Sequence, residues 1–563
     1  MRGKMYSVST FPAGIDLLLR NGKVWTCDPH LPLAEAVAVQ GHRIVAVGSN
    51  AELEPFAEQA ERVIDLQGRL LLPGFNDAHV HFYIGGDTLA SVNLREVKSP
   101  QELRETLRQY VQTRAPGEWI LNGSWDHERW DPVQLPTAAL IDAVTPDHPV
   151  WINRSDGHMK LANSLAMRLA GVDRNTPDVP GGEIVRDDAG NPTGIFKDAA
   201  NRLVDHAIPL PSKAHMRSAL LAAQQYALEN GVTSVQDMGV LGSRGAETMA
   251  EVIRTYQELD LAGEWHVRVS AHLPLPEWQR LGHAGIRARM NTGRLQLGGV
   301  KSFSDGSLGS TTAWFFEPYT DAPHTCGLPS EEMLDGEAMY ARMRAADAAG
   351  LQLVIHAIGD RANSAVLDLC ERLQKENGPL DRRLRIEHAQ HLRREDIARF
   401  AELGVIASVQ PYHALDDGRW AERRIGPERV KNTYAFRSLL DAGATVAFGS
   451  DWWVAPISPL WGIFAAVTRR TLDGQFPDGW VPEEKVTVEE AVHAYTVAAA
   501  YASGEEEIKG SITPGKLADL VILSGDIFLI DPVRIPEVTV DATISDGQFV
   551  YERRSDKTPT SPN

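Results

Sequence analysis

Cysteine is scarce. Cys27, Cys326 and Cys370 are the only three in 563 residues, and no two stand at a metal-ligand or disulfide spacing. Neither a thiolate cluster nor a disulfide framework therefore carries the fold. An odd, sparse count suits a reducing compartment, and the expected location is the cytoplasm. Long apolar runs are missing too. No stretch reaches about 18 apolar residues, so no membrane-spanning helix is expected. The opening MRGKMYSVSTFPAGIDLLLRN is not expected to act as a signal peptide. Basic residues are in deficit: 56 Lys and Arg against 75 Asp and Glu leave a net charge of -19. That balance repels polyanions and argues against nucleic acid or an anionic membrane as partner, which leaves small-molecule chemistry. Only the first dozen residues and the tail 554–563 read as disordered.

What is present is an ordinary globular balance, 43% hydrophobic and 23% charged, in a chain too long for one small core. The first seventy residues read as short strands and tight turns, with hairpins expected at Asn21-Gly22 and Gln40-Gly41. The C-terminal stretch matches them, with ADLVILSGD and then TVDATISDGQFVYE around Asp546-Gly547. One small β-domain built from both termini (14–70 and 504–553) is the expectation, two separate β-appendages the alternative.

Between the ends, over 71–503, short buried strands alternate with amphipathic segments, the signature of a parallel sheet. Eight strands are expected, at LLLPGFNDAHVHF, VTSVQDMG, HVRVSAHL, GGVKSFSD, LQLVIHAIGD, LRIEHAQ, VIASVQPYH and TVAFGSDWW. Eight suits a closed (β/α)₈ TIM barrel of the α/β class. The gap after the first strand is too long for one crossover, so a subdomain at about 85–215, rich in Trp, is expected over one barrel mouth. Gly404 and Gly443 are placed to end helices. Thr487 to Glu490 reads as a capping box opening one helix over 487–503.

His79 and His81 end the first strand, and alternation puts both imidazoles on one face. Later strands end alike: Lys301 after GGV, His356 after LQLVI, His388 after LRIE, Asp451 after TVAFGS. Each alone is as well explained as a satisfied polar residue. Five strand ends together are not, because in a parallel barrel they open on one mouth. Imidazoles with a carboxylate suit zinc or a related divalent ion.

PGFNDAHVHF, LVIHAIGDRAN, RIEHAQ, FGSDWW and GSITPGKLADLVIL resemble motifs of the amidohydrolase superfamily, over nearly all of the chain. GGVKSFSDGSLGSTTAWF and RSDGHMKLANS resemble, more narrowly, the branch that contains N-substituted formamide deformylase. The resemblance implies a barrel with a β-sandwich from both termini, and His79, His81, His356, His388 and Asp451 as ligands of one or two divalent ions, zinc in the first place. It implies Lys301 as a carbamate bridging two metals. An ordinary lysine paired with Asp305 is the alternative. Homodimers occur among such relatives, with no seam legible here.

The expected reaction is hydrolysis of a non-peptide carbon–nitrogen bond, with Asp451 as general base and then acid. His158, in Ser155-Asp156-Gly157-His158, is the candidate for holding the oxyanion or the substrate; the alternative is a histidine that only orders its loop. Trp125, Trp314, Trp452, Trp453 and Trp461 are read as walls of an apolar pocket suited to an N-benzyl or N-alkyl group. His391, His413 and His493 are read as structural. Two rival functions remain: a deaminase or cyclic-amide hydrolase of a nucleobase or heterocycle, and a barrel that binds without catalysis.

Overall fold

A computed structural model describes residues 14–242 and 244–554. The ends expected to be disordered lie almost wholly outside these residues. The eight expected strands all form and are labelled β1 (Phe75–Val80), β2 (Val232–Asp237), β3 (Arg268–Pro274), β4 (Leu295–Phe303), β5 (Gln352–Ala357), β6 (Arg385–His388), β7 (Ile406–Val409) and β8 (Val446–Phe448). They lie in sequence order and pair in parallel from β1 to β8. Their residues are nearly all buried, as parallel strands covered on both faces must be. The seam between β8 and β1 closes just past the strand end: Asp451 N–H donates to the His79 carbonyl and His81 N–H to that of Trp452, each at 2.7 Å.

The covering helices follow the apolar periodicity. Asp360–Asn377 buries Val366, Leu367, Cys370 and Leu373 on one stripe. Arg394–Glu402 buries Ile397 and Phe400 and is followed by Gly404 at φ 60°, a backbone state that glycine enters without a Cβ clash. The capping box of Thr487 and Glu490 is present, but the single helix expected after it is two, Val488–Ala494 and Val497–Ser503. The break is at Thr496, whose hydroxyl donates to the Val492 carbonyl at 2.7 Å while its own backbone leaves the helical region. No helix among the described residues is long and apolar enough to cross a membrane.

Outside the barrel, a six-stranded sheet unites the two ends of the chain: Leu70–Pro73 pairs antiparallel with Leu520–Leu523. A four-stranded sheet built from residues 15–65 packs on it through Leu17, Leu19, Val37 and Val39 against Leu71, Ile522 and Ile544. The hairpins at Gln40-Gly41 and Asp546-Gly547 form. Asn21-Gly22 does not make one: Ile15–Arg20 and Lys23–Trp25 lie in different sheets, and the turn is the corner between them. LLLPGFNDAHVHF likewise divides at Gly74, where a Cβ would stand 2.3 Å from Thr233 Oγ1. Its first half joins the two-ended sheet and its second half is β1. Arg268, at the start of β3, ties barrel to sheet through Asp519 Oδ2 at 2.7 Å and through Asp546.

The insertion has its own mixed five-stranded sheet, ordered Gly182–Arg186, Pro192–Asp198, Met159–Ala162, Val150–Arg154, Ile120–Trp125. Two apolar clusters of its own hold it, one around Trp125 and Trp130, the other around Trp151 and Phe196.

Candidate metal centre

At the ends of β1 and β8 the side chains converge. His79 Nε2 is 3.5 Å and His81 Nε2 3.7 Å from Asp451 Oδ1. The other ring nitrogen is occupied in each: His79 Nδ1 meets Glu387 Oε2 at 2.5 Å, and His81 Nδ1 the Gly239 carbonyl at 2.8 Å. His388 Nδ1 meets Gln410 Oε1 at 2.7 Å. A proton held on Nδ1 by an oxygen acceptor leaves the Nε2 lone pair free, the arrangement by which histidine ligands are oriented. Burial holds the rings of His79, His81 and His388 well below the usual imidazole range, so they are neutral donors. Glu387 is itself held by Arg385 Nε at 2.9 Å, and that guanidinium also donates to the Ala78 carbonyl at 2.7 Å, on β1.

Lys301 Nζ, on β4, is buried with no hydrogen-bond partner among the described residues. Burial pushes its ammonium down to about 8, against the pull of Glu387 and Asp451. The pairing with Asp305 is not made. Asp305 instead accepts backbone N–H groups from Trp314 at 2.8 Å, Ile358 at 3.0 Å and Gly359 at 2.8 Å. His356 packs its ring 4.5 Å from that of His388, but its Nε2 faces the Gly306 carbonyl at 3.1 Å. Burial pushes the Asp451 carboxyl up to about 8, while Lys301 and His158 draw it down.

The donor set fits a divalent cation. His79 Nε2, Lys301 Nζ and His413 Nε2 are all buried without a partner among the described residues. An unsatisfied buried polar group costs about 1–3 kcal/mol. Two of them, His79 Nε2 and His413 Nε2, flank the Asp451 carboxylate and are accounted for by a Lewis acid between them, for which neutral imidazoles with a carboxylate are suitable ligands. His79, His81 and Asp451 bring their ligand atoms within 4.8 Å of one another, and so do His388, His413 and Asp451.

A model of the amidohydrolase family matches residues 62–551. The chain belongs to the amidohydrolase family. Among curated relatives, Protein LONG AFTER FAR-RED 3 of Arabidopsis thaliana is 42% identical, over 92% of this chain and 88% of its own length. N-substituted formamide deformylase of Arthrobacter pascens is 29% identical over 96% and 98%. An uncharacterized metal-dependent hydrolase of Pyrococcus horikoshii superposes with a TM-score of 0.73 at 28% identity, over 92% of this chain and 99% of its own.

The barrel of this amidohydrolase supplies every candidate metal donor; the insertion supplies the opposite wall. His158, on the hairpin between Val150–Arg154 and Met159–Ala162, lines the same cavity as Asp451 and lies 5.2 Å, ring to ring, from His356. Its Nδ1 meets Asp198 Oδ1 at 2.6 Å. Burial alone would lower its pKa; the hydrogen bond to and charge of Asp198, then Asp156, lift it to about 9.

The tryptophans divide. Trp453 lines the cavity. Trp125 does not: it is wholly buried in the insertion's own core and donates to the Ile152 carbonyl at 3.1 Å. Trp452 packs on Phe82 and Tyr226 behind the wall. The Arg361 guanidinium lies over the Trp314 ring at 4.4 Å, and Trp461 meets Tyr412 and Phe464 edge to face. These five are amphipathic side chains, and their proximity to strand ends does not determine whether they face ligand or core. His391, expected to be structural, meets Thr433 Oγ1 through Nδ1 at 2.9 Å. His413 is not remote: it lines the cavity with Nε2 3.8 Å from Asp451 Oδ2. Glu387, Gln410 and Asp198 bear on the site through His79, His388 and His158, and of the three only the Glu-His pair at 387–388 carries a local signal.

Proposed function

We propose that this amidohydrolase cleaves a non-peptide carbon–nitrogen bond in a small amide, with an N-substituted formamide as the first substrate class. The observation that carries the reading is a single cavity of ≈ 80 Å³ lined by Asp451 on the barrel side and His158 on the insertion side. Its other walls are mixed: Leu308, Tyr412, Trp420 and Trp453 suit an alkyl or aryl substituent on nitrogen, and Arg154, Asp156, Asp416 and Asp417 add charged groups beside them. Likeness to the formamide deformylase along nearly its whole length supports the same class.

His79, His81 and Asp451 would hold a divalent ion, zinc by ligand type, with His388, His356 and Lys301 serving a second one beside it. Lys301 is the candidate carbamate: its buried, unpartnered amine is biased toward the neutral form that adds carbon dioxide. A bound divalent ion supplies Lewis acidity, which makes water acidic near neutral pH and polarises a carbonyl. Asp451 accepts the proton of the attacking water and passes it to the departing nitrogen, a poor leaving group while unprotonated. His158 donates a hydrogen bond to the carbonyl oxygen as negative charge gathers there. The sparse cysteines support a cytoplasmic setting for this chemistry.

The test is a screen of metal-reconstituted protein against N-benzyl and N-alkyl formamides, acylated amino acids, lactams and heterocyclic amines. Release of a carboxylate, formate first, with a free amine is the expected outcome. Ammonia from a heterocyclic amine, with every amide untouched, would replace this reading with a deaminase.

A further inference from the structure

Resting on that metal-dependent reading, we infer that His413 is a metal donor, forming with His388 and Asp451 a second divalent-ion position beside that of His79, His81 and Asp451. The two oxygens of Asp451 divide between two imidazoles. Oδ1 lies 3.5 Å from His79 Nε2 and Oδ2 lies 3.8 Å from His413 Nε2. Both nitrogens are buried, and neither has a hydrogen-bond partner among the described residues. His413 is thus in the same chemical state as a residue that the family resemblance makes a ligand.

The rest of the triad fits. His388 and His413 lie nearly parallel, 13° between their planes and 6.3 Å between their centres. Gln410 occupies His388 Nδ1, which leaves Nε2 on the metal side. One short segment does both jobs: Gln410 orients His388, Pro411 opens the helix Pro411–Asp417 as a residue needing no N–H partner, and His413 follows within its first turn. A carboxylate that shares its oxygens between two cations, each met by neutral imidazole, is a chemically ordinary bridge.

A histidine buried for packing alone looks different. His391, nearby, has Nδ1 on Thr433 Oγ1 and Nε2 on Gln390 Nε2 at 3.2 Å. His356 is also less open, because its Nε2 already faces a carbonyl. An unpartnered, solvent-closed nitrogen directed at a carboxylate is the observation that a cation explains and core packing does not.

The experiment titrates metal-stripped full-length protein with zinc and with cobalt(II), counting bound ions and measuring the weaker affinity by chelator competition. Wild type is expected to take two ions. His413→Ala is expected to lose the weaker one, or to hold it at least about tenfold less tightly, the scale on which even indirect partners of a ligand act. His413→Cys in the cobalt protein is expected to show a thiolate-to-cobalt charge-transfer band, which no merely structural role produces. It also answers the question if the alanine variant fails to fold. Two ions at unchanged affinity in His413→Ala, or a fully loaded His413→Cys without the band, would overturn the inference. Wild type binding one ion removes this second position and leaves the proposed hydrolase standing. Wild type binding none removes the proposed function itself.

Discussion

The backbone N–H of Asp451 donates to the carbonyl of His79 at 2.7 Å, so the first and last strands of the barrel are joined at two of its candidate metal donors. The spacing of those donors follows from barrel closure, and substitutions there are expected to act on chemistry before they act on the fold.

Asp451→Asn keeps the shape and the backbone bond but removes the proton acceptor. Turnover is expected to fall by about 10²–10⁴, the range that positioned acids and bases supply. Metal content should stay at one equivalent or more. Steady-state rates together with metal analysis check this, and a variant retaining a tenth of wild-type kcat would assign the proton to another residue.

Glu387→Gln is expected to weaken metal binding by about 10–100-fold, because Glu387 fixes the tautomer of His79 at 2.5 Å. The same change leaves Arg385 facing a neutral amide in a buried site, so a lower melting temperature should accompany it. Chelator competition and a thermal melt separate the two effects.

Lys301→Ala should bind one ion fewer, and isotopically labelled bicarbonate should label wild type but not this variant. Added formate or acetate should restore part of the lost metal by replacing a bridging carboxylate. Full metal content in the variant would make Lys301 an ordinary residue of the wall.

Arg268→Met should cost about 3–5 kcal/mol, the scale for breaking a buried ion pair from one side. Burial raises the Asp519 pKa, but Arg268 outweighs it and holds the carboxyl below its usual range. Its contribution is therefore complete above the unfolded value of about 3.9 and is lost as pH falls through the lower folded value. The gap between wild type and variant should be widest near neutrality and narrow in acid, where the variant's stranded carboxylate is protonated. Thermal melts across pH test both signs.

Asp198→Asn should lower kcat more than it raises KM, since Asp198 orients His158 through Nδ1 rather than meeting substrate. Asp198→Glu, which keeps the charge, should recover part of the loss. Equal damage from both would indicate a role in folding the hairpin alone.

The strand ends were legible because two local signals coincide there, an apolar run and a ligand-type residue. Residues that act by pairing across the chain left no such mark. Glu387 reaches His79 over 308 positions, and a carboxylate beside a histidine reads equally as a solvated charge. Asn21-Gly22 specified a turn but not which sheet each arm would join. Thr496 carries ordinary helix-compatible neighbours, and its contact with Cys27 Sγ at 3.6 Å spans 469 positions that no local pattern reports. His413 follows its strand without a matching motif, and the helical turn that brings its Nε2 to 3.8 Å from Asp451 Oδ2 leaves no mark in the sequence.

The insertion with its own sheet and apolar clusters has a consequence for how such an enzyme diversifies. His158, Asp156 and Ser155 reach the cavity from a unit that, among the described residues, contributes none of the candidate metal donors, which all stand on the barrel. The cavity is thereby lined from two separately folded stretches of chain. A change inside the insertion can therefore reshape one wall of the cavity while the strand ends that carry the candidate metal donors keep their spacing.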